Sequence, residues 1–368
     1  MQTSNKRRFI SLQAGRFVAA LLVVLFHIEG AITKIGGPYP FNDVFAAGHA
    51  GVEYFFVLSG FLIYWVHRGD VAVPGTALTF LRKRCVRILP MYWLAFGCLL
   101  TGVLLNPEFA NGRDLSGPSI FSDVFFLPHP GEMILTVAWT LRREFIFYIV
   151  FSSSLFIPRV GLRPFFAWQA AIVICLVSPA LREAVQGSAF FNVYNLGFGA
   201  GVFIARFLEA KRLSYPIPLF FLGGGCFLSL MIFEWYTAAL FPPEWPFVGG
   251  SEMVGSIPSV LFYTASAALV VMSIAALEID LPFRELPILE LLGGASYVLY
   301  LFHGMISSAF IRIFHWGAPG LGGWTTMLVT MAVTIGASIC IHVVVERPIL
   351  RALSSRKAKT VHAYRSEA

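Results

Sequence analysis

Long runs of hydrophobic residues recur along the whole chain, and this pattern limits its possible folds more than any other feature. A helix needs about 20 residues to cross the ~30 Å hydrocarbon layer of a bilayer. Ten runs approach or exceed that length: residues 10–32, 49–66, 89–105, 133–156, 164–181, 188–207, 216–235, 257–277, 291–313 and 324–345. Charged residues are only 13% of the chain, too few for a soluble domain. We therefore predict an all-α polytopic membrane protein with about ten transmembrane helices.

The Lys and Arg residues are unevenly distributed between the segments that connect these runs. With the N-terminus in the cytoplasm, 20 of the 27 lie in cytoplasmic segments, 4 in outer segments and 3 within the runs. Because cytoplasmic loops carry an excess of Lys and Arg, this bias predicts that both termini are cytoplasmic. The formal net charge of +7 then reflects membrane topology, and no nucleic-acid partner is predicted.

No connecting segment is long enough to form a second domain. We predict one transmembrane domain over residues 1–350 and a basic, disordered cytoplasmic tail over residues 351–368. The largest predicted outer loop covers residues 106–132. The five cysteines are scattered, include no CxxC pair and are odd in number. They predict neither a disulfide framework nor a metal site.

Arg16 and His27 bracket the first apolar run. Eleven residues on a helix turn through about 1100°, which is three turns and about 20°, so both side chains share one face. The rise between them is roughly 16 Å, which places them at different depths. Ionisable residues in membrane spans usually face the bundle interior and mark a site or a pathway. The alternative is an Arg that extends to the membrane surface and a His that bonds a neighbouring helix.

The second run places Glu53 at a depth comparable with His27. A carboxylate that bonds one imidazole nitrogen raises the basicity of the other, as a general base requires. Alternatively, Glu53 is an interfacial carboxylate that faces water.

The fourth run carries a polar stripe. Thr140, Glu144 and Tyr148 recur at i, i+4 and i+8, which is one face of a helix. Arg142 and Arg143 flank Glu144 and can neutralise it, so an internal ion pair that only joins helices is the alternative.

A second stripe lies in the ninth run, where Ser296, Tyr300, His303 and Ser307 share a face at offsets 0, 4, 7 and 11. An isolated intramembrane His is often a satisfied polar contact, but a stripe of four favours a functional site. Trp139 in the fourth run is either a ring that stacks on a substrate or a residue of the interfacial aromatic belt.

A basic cluster precedes the third run in "FLRKRCVRILP". Membrane anchoring accounts for Arg82 and Lys83. Arg84 and Arg87 are spaced i, i+3 and can together hold a phosphate, with Pro90 predicted to end the segment. A cationic zone on one side and a His with carboxylates on the other suit an anionic cytoplasmic donor and an acceptor reached from outside.

In order, these blocks resemble those of the acyltransferase-3 family of membrane acyltransferases. The matching segments are Arg16 with His27 after ten residues, "GVEYFFVLSGFLI" at 51–63, "RCVR" at 84–87, "WTLRREFIFY" at 139–148, "SYVLYLFH" at 296–303 and "VERP" at 345–348. The resemblance covers nearly the whole chain. The compact form without an added hydrolase-like domain is similar to rhizobial exopolysaccharide and Nod-factor O-acetyltransferases.

The resemblance implies transfer of an acyl group, usually acetyl from cytoplasmic acetyl-CoA, to a carbohydrate hydroxyl at the bacterial inner membrane. It implies that Arg16 and His27 are functionally required, and that Arg84 and Arg87 are the family's paired arginines. Arg16, Arg84 and Arg87 would then bind the CoA donor. The family's acidic residue after "GV" is commonly Asp, and here it is Glu53.

On this basis, His27 is the predicted base that deprotonates the sugar hydroxyl, or the group that first accepts the acyl group. Glu53 or Glu144 would orient it. His303 and Tyr300 are candidates for polarising the thioester carbonyl or for binding the sugar.

The predicted partners are acyl-CoA, membrane lipid and a carbohydrate acceptor, either free or lipid-linked. No metal is predicted. The main rival function is a transporter of an acyl donor or lipid-linked saccharide with a His/Glu proton relay. A third hypothesis is that the protein is a structural partner in a polysaccharide-synthesis complex.

Overall fold

The computed structural model describes residues 9–34, 44–71, 73–110, 112–129, 131–156, 160–240, 256–281, 286–317 and 323–353. Within these residues the protein is all-helical and contains no β-strand, as predicted. The α-helices are α1 (Ile10–Lys34), α2 (Gly51–His67), α3 (Thr76–Leu105), α4 (Gly117–Val124), α5 (Trp139–Phe156), α6 (Arg163–Val177), α7 (Pro179–Ala184), α8 (Leu196–Ala210), α9 (Pro216–Leu240), α10 (Ile257–Asp280), α11 (Pro287–Gly317) and α12 (Gly323–Ile341).

The last helix extends beyond α12. A π-helix, His342–Glu346, follows directly, and helical structure then continues to residue 353. Residues 351–353, the first three of the predicted disordered tail, are therefore helical. Residues 354–368 lie outside the described residues.

Seven segments of the described chain are long and apolar enough to cross a membrane, which identifies a multi-pass membrane protein. They are Ile10–Thr33, Ala46–Asp70, Thr76–Leu105, Pro216–Thr237, Ile257–Asp280, Pro287–Ile313 and Gly323–Leu353. The other three predicted spans correspond to α5, α6 and α8, of 18, 15 and 15 residues. Charged residues in the first turns of α5 lower its hydropathy, and Pro179 begins a separate helix directly after α6.

The prediction that Pro90 ends the basic segment is wrong. Helix α3 continues through Pro90 and includes the whole cluster from Arg82 onward. Proline removes one backbone donor from a helix, but tertiary packing routinely overrides local propensity. Arg84 and Arg87 are consequently one turn apart on a continuous helix, and both face the same cavity.

The bundle packs around α2, the most buried of the seven candidate spans. Helix α1 packs against α2 and α11, α2 packs against α8 and α10, and α3 packs against α5 and α11. The closest approach joins α2 and α8, where a methyl group added at Gly201 would overlap the carbonyl oxygen of Val57, and one added at Gly60 would overlap that of Phe198. Small residues permit such backbone contact between membrane helices.

We expect Gly201→Ala to destabilise the protein by about 1–3 kcal/mol, because the added methyl group forces α2 and α8 apart. The matched control is Gly224→Ala in α9, where an added methyl group meets no atom within 4 Å. Thermal unfolding of both variants in detergent is the measurement. Equal unfolding temperatures for the two variants would contradict the role assigned to Gly201.

Candidate functional site

A first cavity of about 140 Å³ lies between α1, α2, α3, α5 and α11. Arg16, Arg84 and Arg87 all line it, so the three predicted donor-binding cations converge on one space. We call it the arginine cavity. Apolar side chains form most of its remaining wall, including Phe55 and Leu62.

The positive charge of the arginine cavity is not cancelled by direct ion pairs. In the described part of the chain, none of the three arginines forms an ion pair with a carboxylate. Arg16 and Arg87 repel one another, and Glu144 and Glu346 attract Arg16 through space. Because cations in apolar surroundings need a counter-charge, the cavity suits an anionic ligand.

Glu144 also lines the arginine cavity. It accepts a hydrogen bond from the hydroxyl of Ser59 at 3.3 Å and a short one from the hydroxyl of Tyr148. The predicted stripe is therefore real, since Thr140, Glu144 and Tyr148 all line the cavity. Ser59 was not among the predicted site residues.

In the described part of the chain, neither Arg142 nor Arg143 forms the alternative ion pair with Glu144, because successive helical residues project about 100° apart. Nη2 of Arg142 lies 3.4 Å from Oδ1 of Asp123. The guanidinium of Arg143 lies over the ring of Trp139, 4.5 Å from its centroid, and Nη1 donates to the Trp139 carbonyl oxygen. Trp139 thus contacts Arg143 and does not line the arginine cavity.

A second, larger cavity of about 1000 Å³ contains His27, and we call it the histidine cavity. The segment between α3 and α5, which includes the predicted outer loop, forms one wall with Arg113 and Glu132. Arg312 and Glu29 add further charges. Burial lowers the pKa of Arg113 from its usual value, and the charge of Glu132 acts in the opposite direction. The wall therefore offers charges of both signs to a polar ligand.

The protonation of His27 follows from its hydrogen bond within α1. Its Nδ1 lies 2.8 Å from the carbonyl oxygen of Val23. A carbonyl oxygen can only accept, so Nδ1 carries the proton and Nε2 holds the lone pair of the neutral ring. The backbone carbonyl of Val23 is thus one partner that orients His27. The role of Glu53 or Glu144 in orienting it stays a prediction.

His303 packs against the ring of His27 and lines neither cavity. The ring centroids are 4.8 Å apart, with an angle of 66° between the planes. Nδ1 of His303 lies 2.7 Å from the carbonyl oxygen of Tyr300, so its Nε2 also holds a lone pair. Nε2 is buried and has no hydrogen-bond partner within the described residues.

One set of hydrogen-bonded groups borders both cavities, and we call it the layer. The hydroxyls of Thr140 and Tyr300 lie 2.9 Å apart, and each also contacts the carbonyl oxygen of Val137, at 3.0 and 3.2 Å. Thr140 and Tyr300 line the arginine cavity, whereas Val137 lines the histidine cavity. The stripe on α11 crosses this layer, because Ser296 lines the first cavity and Ser307 the second.

Glu53 lies away from both cavities. Among the described residues, neither of its buried carboxylate oxygens has a hydrogen-bond partner. The charges that act on it come from His49 and Glu234, and Nε2 of His49 lies 3.3 Å from Oε2 of Glu234. Tyr263 also donates to Glu234, at 2.8 Å. This buried cluster was not predicted, although Glu234 lies within an apolar run and the same rule that selected His27 would have selected it.

A protein-family model described as an acyltransferase domain matches residues 9–343, a range that includes all residues of both cavities. The chain belongs to the acyltransferase-3 family.

Two relatives of this acyltransferase-3 protein match over most of its length. It is 31% identical over 325 residues to the exopolysaccharide production protein ExoZ of Rhizobium meliloti strain 1021, covering 85% of this chain and 93% of ExoZ. It is 27% identical over 390 residues to the acyltransferase MdmB of Streptomyces mycarofaciens, covering 95% of this chain and 94% of MdmB. No solved structure matches the chain.

Proposed function

We propose that this acyltransferase-3 protein transfers an acetyl group from cytoplasmic acetyl-CoA to a hydroxyl of a cell-surface or secreted carbohydrate. The observation that carries the proposal is the pair of cavities on either side of one hydrogen-bonded layer. Arginines without carboxylate partners line the first, and His27 lines the second. Arginine binds phosphate groups such as those of CoA in a bidentate manner. The name of ExoZ, an exopolysaccharide production protein, supports a carbohydrate acceptor.

The proposed topology has ten spans, namely the seven candidate segments together with α5, α6 and α8. Both termini lie in the cytoplasm, and the membrane is the bacterial inner membrane. Because α1 then runs outward, Arg16 lies toward the cytoplasm and His27 toward the outer side. The arginine cavity would receive the donor, and the histidine cavity would receive the carbohydrate, either free or lipid-linked.

In the proposed reaction, the CoA phosphates bind Arg84 and Arg87, and the pantetheine arm extends along α1 past Arg16. The thioester reaches His27 where the layer between the cavities opens. Nε2 of His27 takes the proton of the sugar hydroxyl, and the sugar oxygen attacks the thioester carbonyl carbon. The carbon–sulfur bond then breaks, and the CoA thiolate takes the proton from His27.

A covalent route uses the same nitrogen. Nε2 of His27 attacks the thioester carbonyl carbon, the carbon–sulfur bond breaks, and CoA leaves as the thiolate. The sugar oxygen then attacks the acetyl carbon of the acetyl-imidazolium, the carbon–nitrogen bond breaks, and the hydroxyl proton passes to the released Nε2 and from there to the CoA thiolate. The Nδ1–H bond to Val23 places the lone pair of the neutral ring on Nε2, the atom that both routes use. Intact-protein mass spectrometry after mixing with acetyl-CoA, without acceptor, separates the two routes, since only the covalent route adds an acetyl group to the protein.

Transfer by the purified protein is the direct test. The protein in detergent is mixed with acetyl-CoA and oligosaccharides from the surface glycan of its source bacterium. We expect free CoA thiol and an acetylated oligosaccharide, both detected by mass spectrometry. Binding of acetyl-CoA without thioester cleavage or ester formation would contradict the proposal and favour donor transport.

Tyr300→Phe tests whether the hydroxyl between the cavities assists the reaction. If this hydroxyl polarises the thioester carbonyl, its loss lowers kcat by about 10²-fold and leaves KM for acetyl-CoA within about twofold. The matched control is Tyr297→Phe, because Tyr297 lines the same cavity but donates to the carbonyl oxygen of Ile88. Equal kcat values for the two variants would contradict this role of Tyr300.

A further inference from the structure

The end of α2 places a histidine in contact with one arginine of the arginine cavity. His67 is the last residue of α2 and is 4% exposed. Its Nε2 lies 3.5 Å from Nη2 of Arg84, and its Nδ1 lies 2.8 Å from Oδ2 of Asp70. These contacts connect a half-exposed carboxylate to the cavity wall, and the mechanism described above uses neither His67 nor Asp70.

The direction of these hydrogen bonds is fixed by chemistry. An ionised carboxylate can only accept, so Nδ1 of His67 donates to Asp70 and Nε2 retains the lone pair. A guanidinium has only donors, so Arg84 donates to that lone pair. Asp70 therefore sets the tautomer that His67 needs in order to hold Arg84.

A neutral acceptor behind Arg84 has a particular advantage. A carboxylate at that position would hold the guanidinium but would also cancel its charge and compete with an anionic ligand. The imidazole holds it without adding negative charge. Nε of Arg84 is buried and has no hydrogen-bond partner in the described part of the chain, so a donor remains for a ligand. Tyr148, another residue of the cavity, lies within electrostatic range of Arg84.

The surroundings restrict both side chains to this geometry. The ring of His67 packs edge-on against Phe80, with centroids 5.0 Å apart, and Cζ of Arg84 lies 5.7 Å from the centroid of the same ring. The hydroxyl of Thr76 lies 2.8 Å from the carbonyl oxygen of Val73 and 3.1 Å from that of Asp70, so it joins the start of α3 to the turn.

We propose that His67, oriented by Asp70, positions Arg84 to bind the phosphate groups of the acyl-CoA donor. The inference rests on the proposed function. His67 is a positioning residue, because it contacts Arg84 and does not itself line the arginine cavity.

The first test is His67→Phe, which retains a ring against Phe80 but has no acceptor for Arg84. We expect KM for acetyl-CoA to rise about 5- to 10-fold, with kcat within about twofold. His67→Gln supplies a side-chain oxygen in place of Nε2 and should keep KM within about twofold of the wild-type value. Asp70→Asn can donate to Nδ1 and move the proton to Nε2, so it should raise KM as His67→Phe does.

A double-mutant cycle shows whether His67 acts through Arg84. If it does, the double variant His67→Phe/Arg84→Ala has the same KM as Arg84→Ala alone. Glu209→Gln is the matched control. Glu209 bonds Tyr64 and pairs with Arg68 at the same end of α2, but it does not contact Arg84. Its KM should equal the wild-type value.

Three results would overturn the positioning role: an unchanged KM in His67→Phe, multiplicative effects in the double variant, or a fall in kcat alone. In these cases the wild-type protein still uses acetyl-CoA, and the proposed function stands. A wild-type protein that neither binds nor uses acetyl-CoA would instead overturn the proposed function and, with it, the role of His67.

Discussion

Replacing His27 by alanine is expected to reduce acetyl transfer by at least about 10³-fold while the protein remains folded. In both proposed routes Nε2 of His27 makes the decisive contact, as the base or as the nucleophile, and general-base catalysis alone contributes about 10²–10⁴-fold. The side chain is partly buried at the cavity wall, so its removal leaves the helix packing of α1 intact. Product ester formation by the purified variant is the measurement.

The controls separate chemistry from folding. Ser308→Ala alters a side chain of the same cavity that has no proposed role, and it should keep wild-type activity. The His27→Ala variant should retain its elution volume in size-exclusion chromatography and its affinity for acetyl-CoA, because the arginine cavity is unchanged. Ester formation by His27→Ala at more than about a tenth of the wild-type rate would exclude His27 as base or acyl carrier.

The double variant Arg84→Ala/Arg87→Ala is expected to raise KM for acetyl-CoA by about 10²-fold or more. Each arginine lies on one continuous helix and faces the same cavity. A hydrogen bond to a charged group contributes about 1.5–3 kcal/mol, and each 1.4 kcal/mol is a factor of ten in binding. Initial rates over a range of acetyl-CoA concentrations give KM and kcat separately.

The same basic segment provides the matched control for this experiment. Arg82 is exposed and lines neither cavity, so Arg82→Ala should leave KM within about twofold of the wild-type value. It removes one of the cations attributed to membrane anchoring. If Arg82→Ala and Arg84→Ala raise KM equally, the effect comes from the overall charge of the segment. The assignment of Arg84 and Arg87 as a specific donor-binding site would then be wrong.

Much of the helical architecture was predictable from hydrophobicity and helical periodicity. Each of the ten predicted apolar runs overlaps a helix of the described chain. The polar stripes on α5 and α11 were also predictable, because spacing along one helix fixes which side chains share a face. Arg16 and His27 were predicted at two depths on one face, and they line the arginine cavity and the histidine cavity respectively.

The partners of these side chains were not predictable, because a partner depends on which helices meet. Glu53 was one of two candidates, with Glu144, for orienting His27, and the structure buries it beside His49 and Glu234. Neutralisation of Glu144 by Arg142 and Arg143 was left open, and these two residues contact Asp123 and Trp139 respectively.

The sequence by itself therefore determined an all-helical membrane protein, the family and the faces on which polar residues lie. These properties follow from composition and from the local repeat of the helix. Only the tertiary structure decided that the arginines and His27 line separate cavities, that one hydrogen-bonded layer borders both, and that His67 contacts Arg84. The physical reason is that contacts such as Thr140 with Tyr300, 160 residues apart in the chain, arise from helix packing and leave no periodic signal in the sequence.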